Sequence, residues 1–98
     1  KTLQAIIALT QHYEKNPGAI SLVVCPTSLL YNWQEELFKF HPDMKALVID
    51  GTPTQRKRLI SKAKGYGVLI TSYSLLQKDI ELYEGTHFAY VVLDEAQN

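Results

Sequence analysis

The chain is 98 residues long, 46% apolar and 20% charged, with ten Lys and Arg against ten Asp and Glu. That length accommodates one small core and no second domain, and the composition excludes a disordered chain and a membrane-embedded one. A net charge of zero excludes a polycation that would hold nucleic acid by charge alone.

The aliphatic runs are far shorter than the roughly 20 residues that span a bilayer, and no signal-peptide pattern opens the chain, so an intracellular protein is expected. The chain starts at Lys1 and stops just after an acidic pair. Both ends look cut, and a segment of a longer protein is expected.

In chain order, KTLQAIIALTQHYEK (1–15) places Leu3, Ile6, Ile7 and Tyr13 near one side and predicts a helix stopped by Asn16-Pro17-Gly18. AISLVVC (19–25) is the first aliphatic run. Cys25, at its end, has no partner for an internal disulfide and is expected to be a small buried hydrophobe. SLLYNWQEELFKF (28–40) spaces Leu30, Trp33, Leu37 and Phe40 by three and four, a stripe suited to lying on a sheet, with Trp33 in the core. His41-Pro42 ends that helix and KALVID (45–50) is the second run. A third helix begins at Thr52, with Pro53 in its first turn and Gln55 three residues beyond the cap. It carries Arg56, Lys57, Arg58, Lys62 and Lys64 with no acid among them, expected as a solvated basic face. GVLIT (67–71), a helical segment from about Ser74 to Tyr83, and AYVVLD (89–94) complete the series.

The four runs lack strict alternation, as strands buried on both faces do. Strands separated by short helical segments predict an α/β fold, a mostly parallel sheet with helices on both faces. In such sheets ligands collect at the carboxyl edge of the strands. Pro26, Thr27 and Ser28, then Thr71, Ser72 and Tyr73, then Asp94, Glu95 and Gln97 are therefore expected along one edge. If Lys1 and Thr2 open the first helix they join that edge, as the last two letters of a G-x-x-x-x-G-K-[ST] phosphate loop would.

A buried strand ending in adjacent Asp94 and Glu95 can hold Mg²⁺ through the first carboxylate and position an attacking water with the second. The competing explanation is a helix cap at Asp94, with Glu95 in a favourable first turn.

Taken together, KT followed by LQAIIAL, VVCPTSLLYNWQEEL, VLITSYSLL and VVLDEAQN, in this order over essentially the whole chain, resemble the first ATPase lobe of superfamily-two helicase-like motors, and within it the Swi/Snf branch of double-stranded-DNA translocases. The resemblance implies a RecA-like P-loop NTPase lobe, of which residues 1–98 would be part, using ATP and Mg²⁺ and acting on double-stranded DNA together with a second lobe of the same chain. It implies that Lys1 contacts the β- and γ-phosphates, Thr2 and Asp94 hold the metal, and Glu95 orients or deprotonates water. Gln97 would bond towards the second lobe; replacing the usual His, it points to a prokaryotic source and a cytoplasmic rather than nuclear location. Thr27, Ser28, Thr71 and Ser72 would offer hydroxyls and backbone N–H groups to phosphates of one DNA strand, with helix capping as the plainer explanation. The glycines of the phosphate loop, the second lobe and its arginine fingers are not in this sequence, so the 98 residues alone are expected to be inactive. Two other classes stay open: a non-catalytic α/β interaction domain or degenerate lobe, and a different P-loop NTPase such as a metabolic kinase. The latter leaves PTSLLYNW and TSY unexplained.

Overall fold

The structure, a computed structural model, describes residues 2–94, with Thr2 by its backbone alone. Strands β1 (Ile20–Cys25), β2 (Ala46–Val48), β3 (Val68–Ser72) and β4 (Phe88–Leu93) form one sheet in the order β2-β3-β1-β4, every neighbouring pair parallel. Helices α1 (Thr2–Lys15), α2 (Leu30–Phe40), α3 (Pro53–Ser61) and α4 (Tyr73–Lys78) lie between and before them, with short 3-10 turns at Thr27–Leu29 and Ile80–Tyr83.

Local chemistry sets the boundaries. Gly18 takes a φ of 96° in the turn that leads from α1 into β1, a conformation open to glycine and strained for other residues. Thr52 and Gln55 exchange side-chain bonds with each other's backbone N–H, a full capping box in front of α3, with Pro53 in the first turn as its fixed φ favours. α2 closes at His41, whose N–H bonds the Leu37 carbonyl.

Side chains alternate across the sheet, so each strand feeds two cores. On one face Val23 and Cys25 of β1, Val48 of β2 and Val68 and Ile70 of β3 meet Ile6 and Leu9 of α1 and Leu30, Trp33 and Leu37 of α2. On the other, Leu22, Val24, Leu47 and Leu69 meet Ala63, Tyr83 and the half-buried Leu59, Ile60 and Leu76 of α3 and α4. Each fully buried aliphatic contributes about 1.5–3 kcal/mol. The loop before β3 passes so close to the first core that a Cβ on Gly67 would lie 2.6 Å from Met44 Cγ.

Three expectations are corrected. Phe40 was expected on the buried stripe of α2 but is 50% exposed, because α2 ends there and Met44, 2% exposed, fills the core beyond it. The helix expected up to Tyr83 stops at Lys78 and resumes as a 3-10 turn, with Asp79 between them turned inward to Arg56. β4 is not buried on both faces. Between Ile20↔Phe88 and Leu22↔Val91 it carries one extra residue, a bulge that puts Phe88 in the second core and Val92 against the first. At the edge of the sheet that the described residues form, it leaves Tyr90, Val91 and Leu93 exposed.

Candidate functional site

Parallel register gathers the polar strand ends. Cys25 pairs with Ser72 and Val24 with Leu93, so Pro26, Ser72 and Asp94 emerge at one edge. The helix after β1 packs on one face and the helix after β3 on the other. Open α/β sheets bind ligands outside the carboxyl ends of strands whose following helices lie on opposite faces.

Among its interactions, the hydrogen bonds that follow hold Asp94 at the carboxyl edge. Its backbone N–H donates to Val24 O at 2.8 Å, continuing the β1–β4 ladder one residue past the strand. Tyr73 OH, from the first residue of α4, donates to the Asp94 carbonyl at 2.8 Å. The indole Nε1–H of Trp33 donates to Asp94 Oδ2 at 2.8 Å. Trp33 is a core residue, as expected, and only 4% exposed. Its bond to Asp94 was not anticipated: a buried indole needs an acceptor, but nothing in the sequence marks one 61 positions away. Burial, and after it the negative charge of Asp94, push the Cys25 thiol up to about 11. Cys25 is thus a protonated, buried hydrophobe and not a nucleophile.

The four hydroxyl residues divide into two pairs. Thr27 and Ser28 are exposed on the 3-10 turn that leads into α2, and neither hydroxyl caps the turn or the helix. Ser72 is 1% exposed and caps α4, its Oγ accepting from Leu75 N–H. Thr71 departs from the expectation of a phosphate contact through its hydroxyl. It is fully buried on the α3–α4 face, because its position in β3 points the side chain into that core. Its hydroxyl lies close enough to Tyr83 to influence the phenol, yet neither oxygen has a hydrogen bond of good geometry.

The expected basic face also changes. Arg56 is 5% exposed and donates through Nε and Nη2 to the two Asp79 oxygens at 2.7 and 3.0 Å, and through Nη1 to the Gly51 carbonyl. That bonding raises its pKa further. Its spacing of three and four from Leu59 and Ile60 was the signal that it faces the sheet. Lys57, Arg58, Lys62 and Lys64 remain exposed.

Lys1, Glu95 and Gln97 and the side chain of Thr2 lie outside the described residues. Among the described residues no group of three or more His, Cys, Asp or Glu side chains could hold a metal. Mg²⁺ needs no such cage; it takes one or two carboxylates with phosphate oxygens and waters. A half-buried, oriented Asp94 at a strand end fits that donor set. No described helix is long and apolar enough to cross a membrane.

Comparison with known proteins agrees with this fold. The SNF2-related domain matches residues 1–98. The chain is 41% identical over 98 residues to an uncharacterized ATP-dependent helicase of Mycoplasma pneumoniae, covering 99% of this chain and 9% of that protein. It is 39% identical over 107 residues to the chromatin-remodeling ATPase INO80 of Arabidopsis thaliana, covering 99% and 7%. A solved structure, the Sulfolobus solfataricus SWI2/SNF2 ATPase core in complex with double-stranded DNA, superposes with a TM-score of 0.82 at 39% identity, over 100% of this chain and 20% of that one. The chain thus spans a small part of the length of these relatives.

Proposed function

Because this chain belongs to the SNF2-related family, we propose that it forms part of the first RecA-like lobe of an ATP-dependent double-stranded-DNA translocase, and that the carboxyl edge of its sheet carries the nucleotide. The observation that carries the proposal is Asp94, a carboxylate tied by backbone and side chain to the strand end where such folds bind ligands. In support, the Sulfolobus ATPase core of the same fold was solved on double-stranded DNA, and the relatives are ATP-dependent helicases and remodelling ATPases.

Lys1 is assigned to the β- and γ-phosphates, Thr2 and Asp94 to Mg²⁺, Glu95 to the attacking water and Gln97 to the second lobe. Bound Mg²⁺ would neutralise charge on the phosphates as the γ-phosphoryl group leaves. Asp94 presents a hard oxygen donor for it, and Glu95 would accept or orient the proton of water. Thr27 and Ser28, exposed beside the α2 N-terminus, are assigned to backbone phosphates of one DNA strand, contacts that position without reading sequence. Ser72 serves the same edge by capping α4, and Thr71 by packing beneath it. Isolated, the 98 residues lack the second lobe and are proposed to be inactive.

Glu95→Gln in the full-length protein is the decisive test. The amide keeps the shape of the site and loses the group that activates water, so ATP binding is retained while DNA-stimulated hydrolysis falls by orders of magnitude. A helix-capping role predicts near-wild-type turnover, since Gln in a first turn costs only about 0.3–1 kcal/mol of dipole interaction. Unchanged DNA-stimulated turnover would remove the catalytic assignment.

A further inference from the structure

Two bonds on Asp94 hold its backbone: its N–H is fixed by Val24 O and its carbonyl by the Tyr73 hydroxyl. Neither determines where the carboxylate points. The bond from Trp33 acts on the carboxylate directly, because Nε1–H reaches Oδ2 itself at 2.8 Å. The indole is in turn immobilised. Trp33 is 4% exposed, its neighbours Leu30 and Leu37 on the same face of α2 are 1% and 0% exposed, and all three belong to one core with Val23 and Cys25 of β1. A rigid donor thus grips a carboxylate on the more exposed rim, and the bond is charge-assisted, shorter and stronger than a neutral one.

We infer that Trp33 is a positioning residue of the nucleotide site: its indole N–H holds Oδ2 of the Asp94 carboxylate in the orientation that a bound Mg²⁺ would meet. This rests on the assignment of Asp94 to the metal. Partners that orient a ligating carboxylate change metal affinity or activity by about 10- to 100-fold when removed. Nothing in this role needs Trp33 to touch nucleotide or DNA, and its burial excludes a base-stacking surface.

The test uses the full-length protein with Trp33→Phe, which keeps an aromatic ring in the core and removes the donor. Two quantities are measured: the Mg²⁺ concentration at half-maximal ATP turnover, and the affinity for a fluorescent ATP analogue with Mg²⁺ and with EDTA. The expected result is a Mg²⁺ requirement raised about 10-fold or more, turnover largely restored at high Mg²⁺, and analogue affinity weakened with Mg²⁺ but unchanged in EDTA. A purely structural tryptophan would lower turnover or thermal stability with the wild-type Mg²⁺ dependence, and that result overturns the inference. If Trp33→Phe unfolds the protein, benzothienylalanine at position 33 decides by the same two measurements, since sulfur replaces N–H in a ring of nearly the same shape. Asp94→Asn, run alongside, separates the two levels. A normal Mg²⁺ dependence in Asp94→Asn removes the metal assignment and the role of Trp33 with it; a shifted dependence there, with a normal one in Trp33→Phe, removes the role of Trp33 alone.

Discussion

Each face of the sheet contains a buried donor bound to a carboxylate, and the two pairs are built for opposite ends. On the α3–α4 face Arg56 and Asp79 close on one another, with side chains 6% and 5% exposed, and the third guanidinium nitrogen donates to the Gly51 carbonyl. On the α1–α2 face only the donor is deeply buried; Trp33 grips Asp94 from below, and the carboxylate stays half-exposed at the carboxyl edge. The first arrangement consumes its charges internally and can only stabilise. The second orients a carboxylate that is only half-buried. Exposure of the acceptor, rather than the presence of a buried hydrogen bond, separates a clamp from a site.

Breaking the clamp should have the larger and less specific effect. Asp79→Ala leaves the Arg56 guanidinium buried without its counter-charge, a strongly destabilising change. The expected outcome is a drop of the unfolding midpoint on the order of 10 °C, with ATP turnover and DNA binding lost together as the fold is lost. Arg56→Met combined with Asp79→Leu should recover much of the midpoint, because paired apolar replacements remove the stranded charge. Differential scanning calorimetry of the three proteins checks this. Selective loss of turnover in Asp79→Ala at an unchanged midpoint would show that the pair belongs to the site after all.

A smaller effect should sharpen the other half of the comparison. Thr27→Ala with Ser28→Ala removes two exposed hydroxyls that cap nothing, so stability should stay within about 0.5 kcal/mol. DNA affinity should fall several-fold, measured by fluorescence anisotropy on a duplex. Hydroxyls release no counterions, so the salt dependence of binding should keep its slope. Thr71→Val, in contrast, should leave DNA affinity alone, since its side chain is sealed under the sheet edge.

The last effect is confined to alkaline pH and is absent near neutrality. Burial raises the Tyr83 phenol from 10.0 to about 12. The folded protein therefore keeps its proton where the unfolded chain has lost it, and the stability from this group is full below pH 10 and is lost as pH rises towards 12. Cys25, raised from 9.0 to about 11, adds a loss that begins near pH 9. Tyr83→Phe should flatten the upper part of that decline by an amount on the order of 2 kcal/mol. Near neutral pH it should be close to wild type, as the hydroxyl removed has no partner of good geometry. Urea unfolding at a series of pH values reads both.

Local signals made most of the fold legible. The four aliphatic runs became β1 to β4, the Thr52-Pro53-x-Gln55 pattern became a capping box, and the parallel order brought Pro26, Ser72 and Asp94 to one edge. The misplacements have one cause: solvent access depends on what lies next to an element. Phe40 fits a helical stripe but falls where the helix ends, and β4 has an aliphatic sequence but lies at the edge of the described sheet.

The sequence by itself determined the order and type of the elements, the resemblance to Swi/Snf-type ATPases and the candidate carboxylate Asp94, because periodicity, capping residues and motif order are properties of neighbouring positions. Only the tertiary structure decided which polar groups face solvent and which face one another. Trp33 and Asp94 are 61 residues apart, and Arg56 and Asp79 are 23 apart. Pairs so distant meet only after the strands are in register and the helices are seated on their faces, so no local pattern encodes them.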